Sequence, residues 1–325
     1  VSSNHGFLDR FNQHFLKINE AIQQCFITHV SVIEDIGRHS LFGEGKRLRP
    51  LMFVLSCELC GYDKKDIYQL STIFEYIHTA SLLHDDVMDN AELRRNKPSA
   101  SHVWGNSAAV LAGDYLSSLS ASIAIRTNNL DFFKALIETG VKMSEGQALE
   151  LVYTKKWDIT KNEYMDIIIS KTASLMSTTC MCAGIVADAE DKALESLSQF
   201  GLNLGIAFQL IDDLLDYTST EVAIGKPVGK DLREGKITLP LIYALLDLEK
   251  RKQQEIQHIL NKSRASDEEY DQIIDYVRNS GAIDKVRSEA TRFTKKAAGY
   301  LRAFHDSPSR EELMALNDYL VNRHY

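Results

Sequence analysis

Apolar residues recur three and four positions apart through most of this chain, the spacing that puts one stripe along the face of an α-helix. The stretch "NEYMDIIISKTASLMSTTCMCAGIVA" shows the pattern clearly, and sustained apolar–polar alternation is hard to find anywhere. Prolines stand only at positions 50, 98, 227, 240 and 308, so the interval from Pro98 to Pro227 can hold several unbroken helices. Breaks fall where helix punctuation puts them, at "LFGEGKRLRP", "NNLD", "TKKWDIT", "VADAED", "AIGKPVGKDLREGK" and "SRASDEE". Asp158 or Thr160 is expected to cap a helix before Tyr164, and Ser266 or Asp267 another before Tyr270. The pattern predicts an all-α fold of roughly ten or more helices with short connections. Residues 1–325 read as a single domain.

Two segments carry charge where that pattern wants apolar residues. "LLHDDVMDNAELRR" holds Asp85, Asp86 and Asp89, and "AFQLIDDLLDYTS" repeats the spacing with Asp212, Asp213 and Asp216. Like charges at i and i+4 on a helix cost a few tenths of a kcal/mol, and more as water is excluded. Something must offset that repulsion twice. On a helix Asp85 and Asp89 stack one turn apart, with Asp86 turned about 100° away. Paired carboxylates at this spacing suit Mg²⁺, a hard ion usually held by one or two carboxylates plus substrate phosphate oxygens. The plainer reading is a solvated acidic face. Against it, each cluster ends an apolar run, "EYIHTASLLH" and "GIAFQLI", which places the carboxylates better at a cavity mouth than in open solvent.

Cations complete the pattern. Arg94 and Arg95 follow the first cluster, "GEGKRLRP" carries Lys46, Arg47 and Arg49, "SKTASL" offers Lys171 and Thr172, and "GKPVGKDLREGK" offers Lys226, Lys230, Arg233 and Lys236. Singly each is a surface charge; together with two metal-type clusters they imply two bound polyanions. Composition narrows the partners further. With 325 residues, 44% hydrophobic, 25% charged and a net charge of −8, the chain reads as an ordered globular protein that does not bind nucleic acid through a basic face. Five cysteines and no apparent signal peptide predict reduced thiols and a cytoplasmic setting. Cys57 and Cys60 form a CxxC without the second pair that a zinc site needs, and Cys180 and Cys182 read as core residues. No run of 18 apolar residues is present, so at most peripheral membrane contact is expected.

"LLHDDVMD" followed by "RR", then "FQLIDDLLD", "GKRLRP" and "GKPVGKDLREGK", resembles the trans polyprenyl diphosphate synthases, with the motifs in order from about Gly43 to Pro240. The resemblance implies a large helical bundle with a central substrate cavity. In that family an allylic diphosphate ionises, the carbocation alkylates isopentenyl diphosphate, and a proton is lost, most simply to the released diphosphate. Carried over by motif, Asp85 and Asp89 would hold Mg²⁺ on the allylic diphosphate and Asp212 a further Mg²⁺ from the opposite wall. Asp86, Asp213 and Asp216 would complete the metal sites, with three ions in all. Arg94, Lys171, Lys226 and Lys236 would contact the allylic diphosphate. Lys46, Arg49, His78, Arg95 and Phe208 would bind isopentenyl diphosphate. Thr172, Gln209 and the ring of Phe208 would line the zone where positive charge develops on carbon. Arg47 is assigned no ligand, and His84 is expected to be structural. A homodimer is implied by the same resemblance.

Product length is read below Asp85. Ala80 and Ser81 are small, where in this family bulky side chains block short-chain pockets, and Ile77 and Phe74 follow, Phe74 about 16 Å below Asp85 at helical rise. Met143, Leu149 or Tyr153, in "VKMSEGQALELVY", are expected to supply a stop from another helix. The expected product has thirty-five to fifty carbons, about forty in the first instance, made from farnesyl diphosphate for a quinone side chain. Other readings are a short-chain synthase, a non-catalytic subunit of a heteromeric synthase and a class I terpene cyclase. A di-iron bundle is a further one, since Glu75/His78 and Glu255/His258 both fit Glu-x-x-His.

Overall fold

The computed structural model describes residues 5–42, 45–95, 97–218, 228–246, 248–262 and 265–321. A turn of helix at His5–Leu8 and a 3₁₀ turn at Asp9–Phe11 lead into α1 (Asn12–Cys25), α2 (Ser31–Leu41), α3 (Leu48–Leu59) and α4 (Ile67–Met88). A hairpin of β1 (Leu93–Arg94) and β2 (Lys97–Pro98) follows, pairing Leu93 with Pro98 and Arg94 with Lys97. These are the only strands among the described residues. Then come α5 (Ala100–Trp104), α6 (Asn106–Ile125), α7 (Leu130–Tyr153) and α8 (Lys161–Ile168), which runs into a π-helical turn at Ile169–Ala173. The rest is α9 (Ser174–Val186), α10 (Asp191–Thr218), α11 (Lys230–Arg233), α12 (Leu239–Leu246), α13 (Lys250–Leu260), α14 (Asp267–Asn279), α15 (Ala282–Leu301) and α16 (Pro308–Val321). The all-α reading holds. Thr160 and Ser266 both build full capping boxes, with Glu163 and Glu269 as their partners.

The structure is described as two compact units. Unit 1 comprises Val1–Glu138, Thr178–Ser198 and Ala303–Leu313; unit 2 comprises Thr139–Ser177, Gln199–Arg302 and Met314–Tyr325. In unit 1, α4 is the buried axis, with Leu70, Ile73, Phe74, Tyr76, Ala80 and Leu83 all under a tenth exposed. Phe74 lies 5.2 Å from Phe53 and 6.4 Å from Phe132, ring to ring. Each such pair adds about 0.5–1.5 kcal/mol beyond the area it buries. The fully buried Tyr76 pins α4 to α1 by donating its hydroxyl proton to the Ile22 carbonyl at 2.8 Å. Near its end α4 meets α6 at Gly113, where the His84 ring fills the space a Cβ would take. His84 is therefore structural, as expected.

α6 alone among the described residues is long and apolar enough to cross a membrane by length and composition. It carries Asp114 and buries Ala109, Ala112, Leu116 and Ile123, so here it serves as a core helix of unit 1. Unit 2 has its own apolar core, in which Tyr164, Leu210, Leu214, Tyr217, Leu239 and Val277 are almost fully buried. Gly146 of α7 lets the π turn approach closely, since a Cβ there would stand 2.6 Å from the Lys171 nitrogen.

Candidate active site

The last turn of α4 sorts the first aspartate cluster into two kinds. Asp85 and Asp89 are half-buried and share one face, and Asp89 closes the helix as its C-cap. The negative end of the helix dipole lies at that point and favours a cation there. Asp86 differs from the expectation of a third metal ligand. It is 3% exposed, and its Oδ1 accepts from Arg94 Nε at 2.9 Å and Nη2 at 2.6 Å. Arg94, expected on a diphosphate, is thereby anchored where the hairpin begins. The hairpin itself is tied down on both sides: Ser99 N donates to the Glu92 carbonyl at 2.8 Å, and His39 Nε2 donates to the Pro98 carbonyl at 2.8 Å. Its tip carries Arg95 in the left-handed region, at φ 51°. His39, Thr79, Leu82, Asp86, Arg94 and Arg95 line a small pocket that opens to solvent.

The basic loop before α3 also divides. Arg47 is buried, with φ 46°, and donates to Glu75 Oε1 at 2.6 Å, to Asn19 Oδ1 at 3.1 Å and to the Leu41 carbonyl. It is a structural pin between Lys46, which is exposed, and Arg49. Nothing in the spacing K-R-x-R told which arginine turns inward. Arg49 Nε is buried without a hydrogen-bond partner. Burial lowers the Arg49 guanidinium to about 10, with Glu75 opposing and Arg95 adding to the shift. His78 stands in the same electropositive zone: burial, then Arg49, Arg95, Arg94 and Arg47, hold its imidazole well below the usual range and hence neutral. A buried guanidinium nitrogen with no protein partner, beside further arginines, suits a bound anion. Glu75 is committed to Arg47, which removes the di-iron reading.

In unit 2 the π turn carries Lys171 and Thr172, a local widening that sequence periodicity does not signal. Lys171 Nζ lies 2.6 Å from Glu150 Oε2. Thr172 Oγ1 donates to Gln209 Oε1 at 3.1 Å, Gln209 Nε2 to Asp213 Oδ1 at 2.7 Å, and Tyr164 OH to Asp213 Oδ2 at 2.6 Å. The second aspartate cluster thus divides like the first. Asp212 is exposed, whereas Asp213 is 3% exposed. Burial raises the Asp213 carboxyl to about 7; the Tyr164 and Gln209 hydrogen bonds oppose this, and the neighbouring Asp212 and Asp216 charges add to it. Asp216 accepts from the backbone nitrogens of Lys230 at 3.0 Å and Asp231 at 3.1 Å, fastening the start of α11. Asp213 and Asp216, expected at the metal sites, are in this way engaged by the protein. Lys236 Nζ and Lys230 Nζ share Glu234, at 2.8 and 3.1 Å. Lys226 lies outside the described residues. Phe208 is half-buried beside Gln209 in sequence. Sequence reasoning missed Tyr164, Glu150 and Asp231 as partners of the motif residues, and no local spacing pointed to them.

Of the expected chain-length residues, Ser81 and Ile77 are half-buried on the Asp85 side of α4, whereas Ala80 is 1% exposed and belongs to the core. Phe74, fully buried, ends that accessible strip. Leu149 and Tyr153 depart from the expectation: both pack against the core of unit 2, and Lys156 Nζ sits 4.7 Å over the Tyr153 ring. Met143 is half-buried on α7.

The polyprenyl synthetase family model matches residues 30–277. The octaprenyl diphosphate synthase of Escherichia coli (strain K12) is 34% identical over 311 residues, 96% of each chain. Among solved structures, a polyprenyl synthase from Caulobacter crescentus CB15 complexed with calcium and isoprenyl diphosphate is similar with a TM-score of 0.93 and 33% identity, over 99% of this chain and 98% of that one. A geranylgeranyl pyrophosphate synthetase from Pyrococcus horikoshii Ot3 gives a TM-score of 0.91 and 32% identity, over 98% and 99%.

Proposed function

The chain belongs to the polyprenyl synthetase family of prenyltransferases, and from that we propose that it extends an allylic diphosphate, farnesyl diphosphate in the first instance, with successive isopentenyl diphosphates. The observation that carries the reading is within α4: Asp85 and Asp89 at its C-terminal end, and two turns earlier His78 among Arg49, Arg94 and Arg95. One helix serves a metal-bound anion and a cation-bound anion together.

The donors fit a hard divalent cation. They are carboxylate oxygens at the negative end of a helix dipole, the set that Mg²⁺ takes alongside phosphate oxygens. Asp85 and Asp89 would hold it, with Asp212 holding a further ion, three in all on the family pattern. A metal held there would supply positive charge to offset that of the departing diphosphate. Arg94, Lys171, Lys226 and Lys236 bind and orient the allylic diphosphate, and Lys46, Arg49, His78 and Arg95 the isopentenyl diphosphate. Thr172, its hydroxyl held by Gln209, turns an oxygen dipole, and Phe208 a ring face, toward the carbon that becomes cationic. Asp86, Asp213 and Asp216 act one step back, holding Arg94, Gln209 and α11.

A long product, of thirty-five to fifty carbons and about forty in the first instance, is favoured by small Ser81 and half-buried Ile77 below Asp85, with Phe74 the first large buried ring on that line. Such a product suits a quinone side chain. A homodimer is supported by exposed Leu111 and Ile125 on one stripe of α6 and by Leu130 and Ile137 on one stripe of α7, each at least 46% exposed. Five free cysteines suit a cytoplasmic setting. The test is turnover of isopentenyl and farnesyl diphosphates by the single purified chain with Mg²⁺, and its loss on chelation. A folded chain that is inactive alone would favour the partner-subunit reading.

A further inference from the structure

The hydrogen bonds around Asp213 run in one direction, and that direction is set from the buried end. Tyr164 is 3% exposed within the apolar core of unit 2, and its hydroxyl donates to Asp213 Oδ2 at 2.6 Å. The other Asp213 oxygen accepts from Gln209 Nε2 at 2.7 Å. A carboxamide whose nitrogen faces a carboxylate must turn its oxygen away, and there Thr172 Oγ1 lies 3.1 Å off. An amide oxygen only accepts, so the single hydroxyl proton of Thr172 is committed to Gln209 and its lone pairs face elsewhere.

The local helix supplies a contrast. Threonine and serine within helices commonly bond back to the carbonyl four residues earlier. Ser174 does so, donating to the Ser170 carbonyl at 2.6 Å. Thr172, two residues before it in the π turn, instead bonds across to α10. Widening the helix releases the hydroxyl from its own turn and delivers it to an amide oriented by Asp213.

We infer that Tyr164 is a positioning residue for the reaction: through Asp213 and Gln209 it fixes the Thr172 hydroxyl so that oxygen lone pairs, not a proton, face the allylic carbon as positive charge develops. This rests on the prenyl-transfer reading above. Tyr164 itself touches no substrate; it acts by restricting the orientation of a dipole, and pre-oriented dipoles do not have to reorganise at the moment of reaction.

The test uses the full chain and three variants: Tyr164→Phe, which keeps the ring and removes one donor, Thr172→Val, and the double variant. Tyr164→Phe is expected to lower kcat about tenfold while KM for both diphosphates stays within about twofold. Once Thr172 lacks its hydroxyl, Tyr164 has nothing to orient, so the double variant should be no slower than Thr172→Val alone. A purely structural Tyr164 would lower thermal stability and make the two effects multiply. Wild-type kcat in Tyr164→Phe, or multiplicative effects in the double variant, overturns the inference while the reaction stands. A wild-type chain that forms no product overturns the reaction and the relay with it.

Discussion

Arg94 rests on Asp86: its Nε and Nη2 reach a single oxygen of that carboxylate at 2.9 and 2.6 Å, and the carboxylate is 3% exposed. Three aspartates that look alike in sequence therefore separate into two facing outward, Asp85 and Asp89, and one that anchors a guanidinium. Asp86→Ala should lower stability by about 2 kcal/mol, less than a fully buried pair would lose because Arg94 is one third exposed. Asp85→Ala should leave the melting temperature near wild type and lower activity by about a hundredfold or more. Thermal denaturation and turnover of the two variants check the separation.

The basic loop before α3 should divide in the same way. Arg47 and Glu75 are both almost wholly buried and 2.6 Å apart, so Arg47→Ala leaves a buried carboxylate alone and should cost about 3–5 kcal/mol in urea denaturation. Arg49 has an unpartnered buried Nε, so Arg49→Ala should be far milder for stability. It should raise KM for isopentenyl diphosphate by about ten- to a hundredfold, the value of hydrogen bonds to a charged group.

Ala80 and Ser81 are adjacent and equally small, yet the structure gives them different surroundings. Ser81→Phe should shorten the product, read by chromatography of the dephosphorylated chains, with little change in stability. Ala80→Phe forces a ring into a site 1% exposed and should destabilise by about 1–3 kcal/mol.

Burial lifts Asp213 to about 7, against an ordinary aspartate value of about 3.9. The metal-free folded chain thus binds this proton more tightly than the unfolded chain. The resulting stabilisation is complete below pH about 4 and is lost as pH climbs through about 7. Asp213→Asn cannot titrate, so its melting temperature should fall less than that of the wild type between those pH values. Equal slopes would show that Asp213 is not buried as described.

Much of this was legible in sequence, and for physical reasons. Helical spacing revealed the all-α fold because amphipathic helices must bury one stripe. The capped helix starts near Thr160 and Ser266 were readable to within a choice of two residues because a cap is local, and the two aspartate clusters because like charges one turn apart demand a reason. What sequence did not reveal was direction. Whether Asp86 or Asp85 turns inward depends on Arg94 returning in a hairpin; whether Arg47 or Arg49 is a pin depends on Glu75, 28 residues away. Tyr164 carried no signal, since a tyrosine 49 residues from its partner reads as one more apolar core position. Leu149 and Tyr153 were expected to supply a stop because their helix was read as an opposite wall, and sequence did not reveal that both pack against the core of unit 2.

The most direct measurement is incubation of the purified chain with Mg²⁺, farnesyl diphosphate and labelled isopentenyl diphosphate, followed by chromatography of the dephosphorylated products, with Asp85→Ala run beside it. The account predicts products of about forty carbons from the wild type and none from a folded Asp85→Ala variant. Condensation that persists in that variant, or its absence in a folded wild-type chain, would contradict the assignment of the reaction to the C-terminal end of α4.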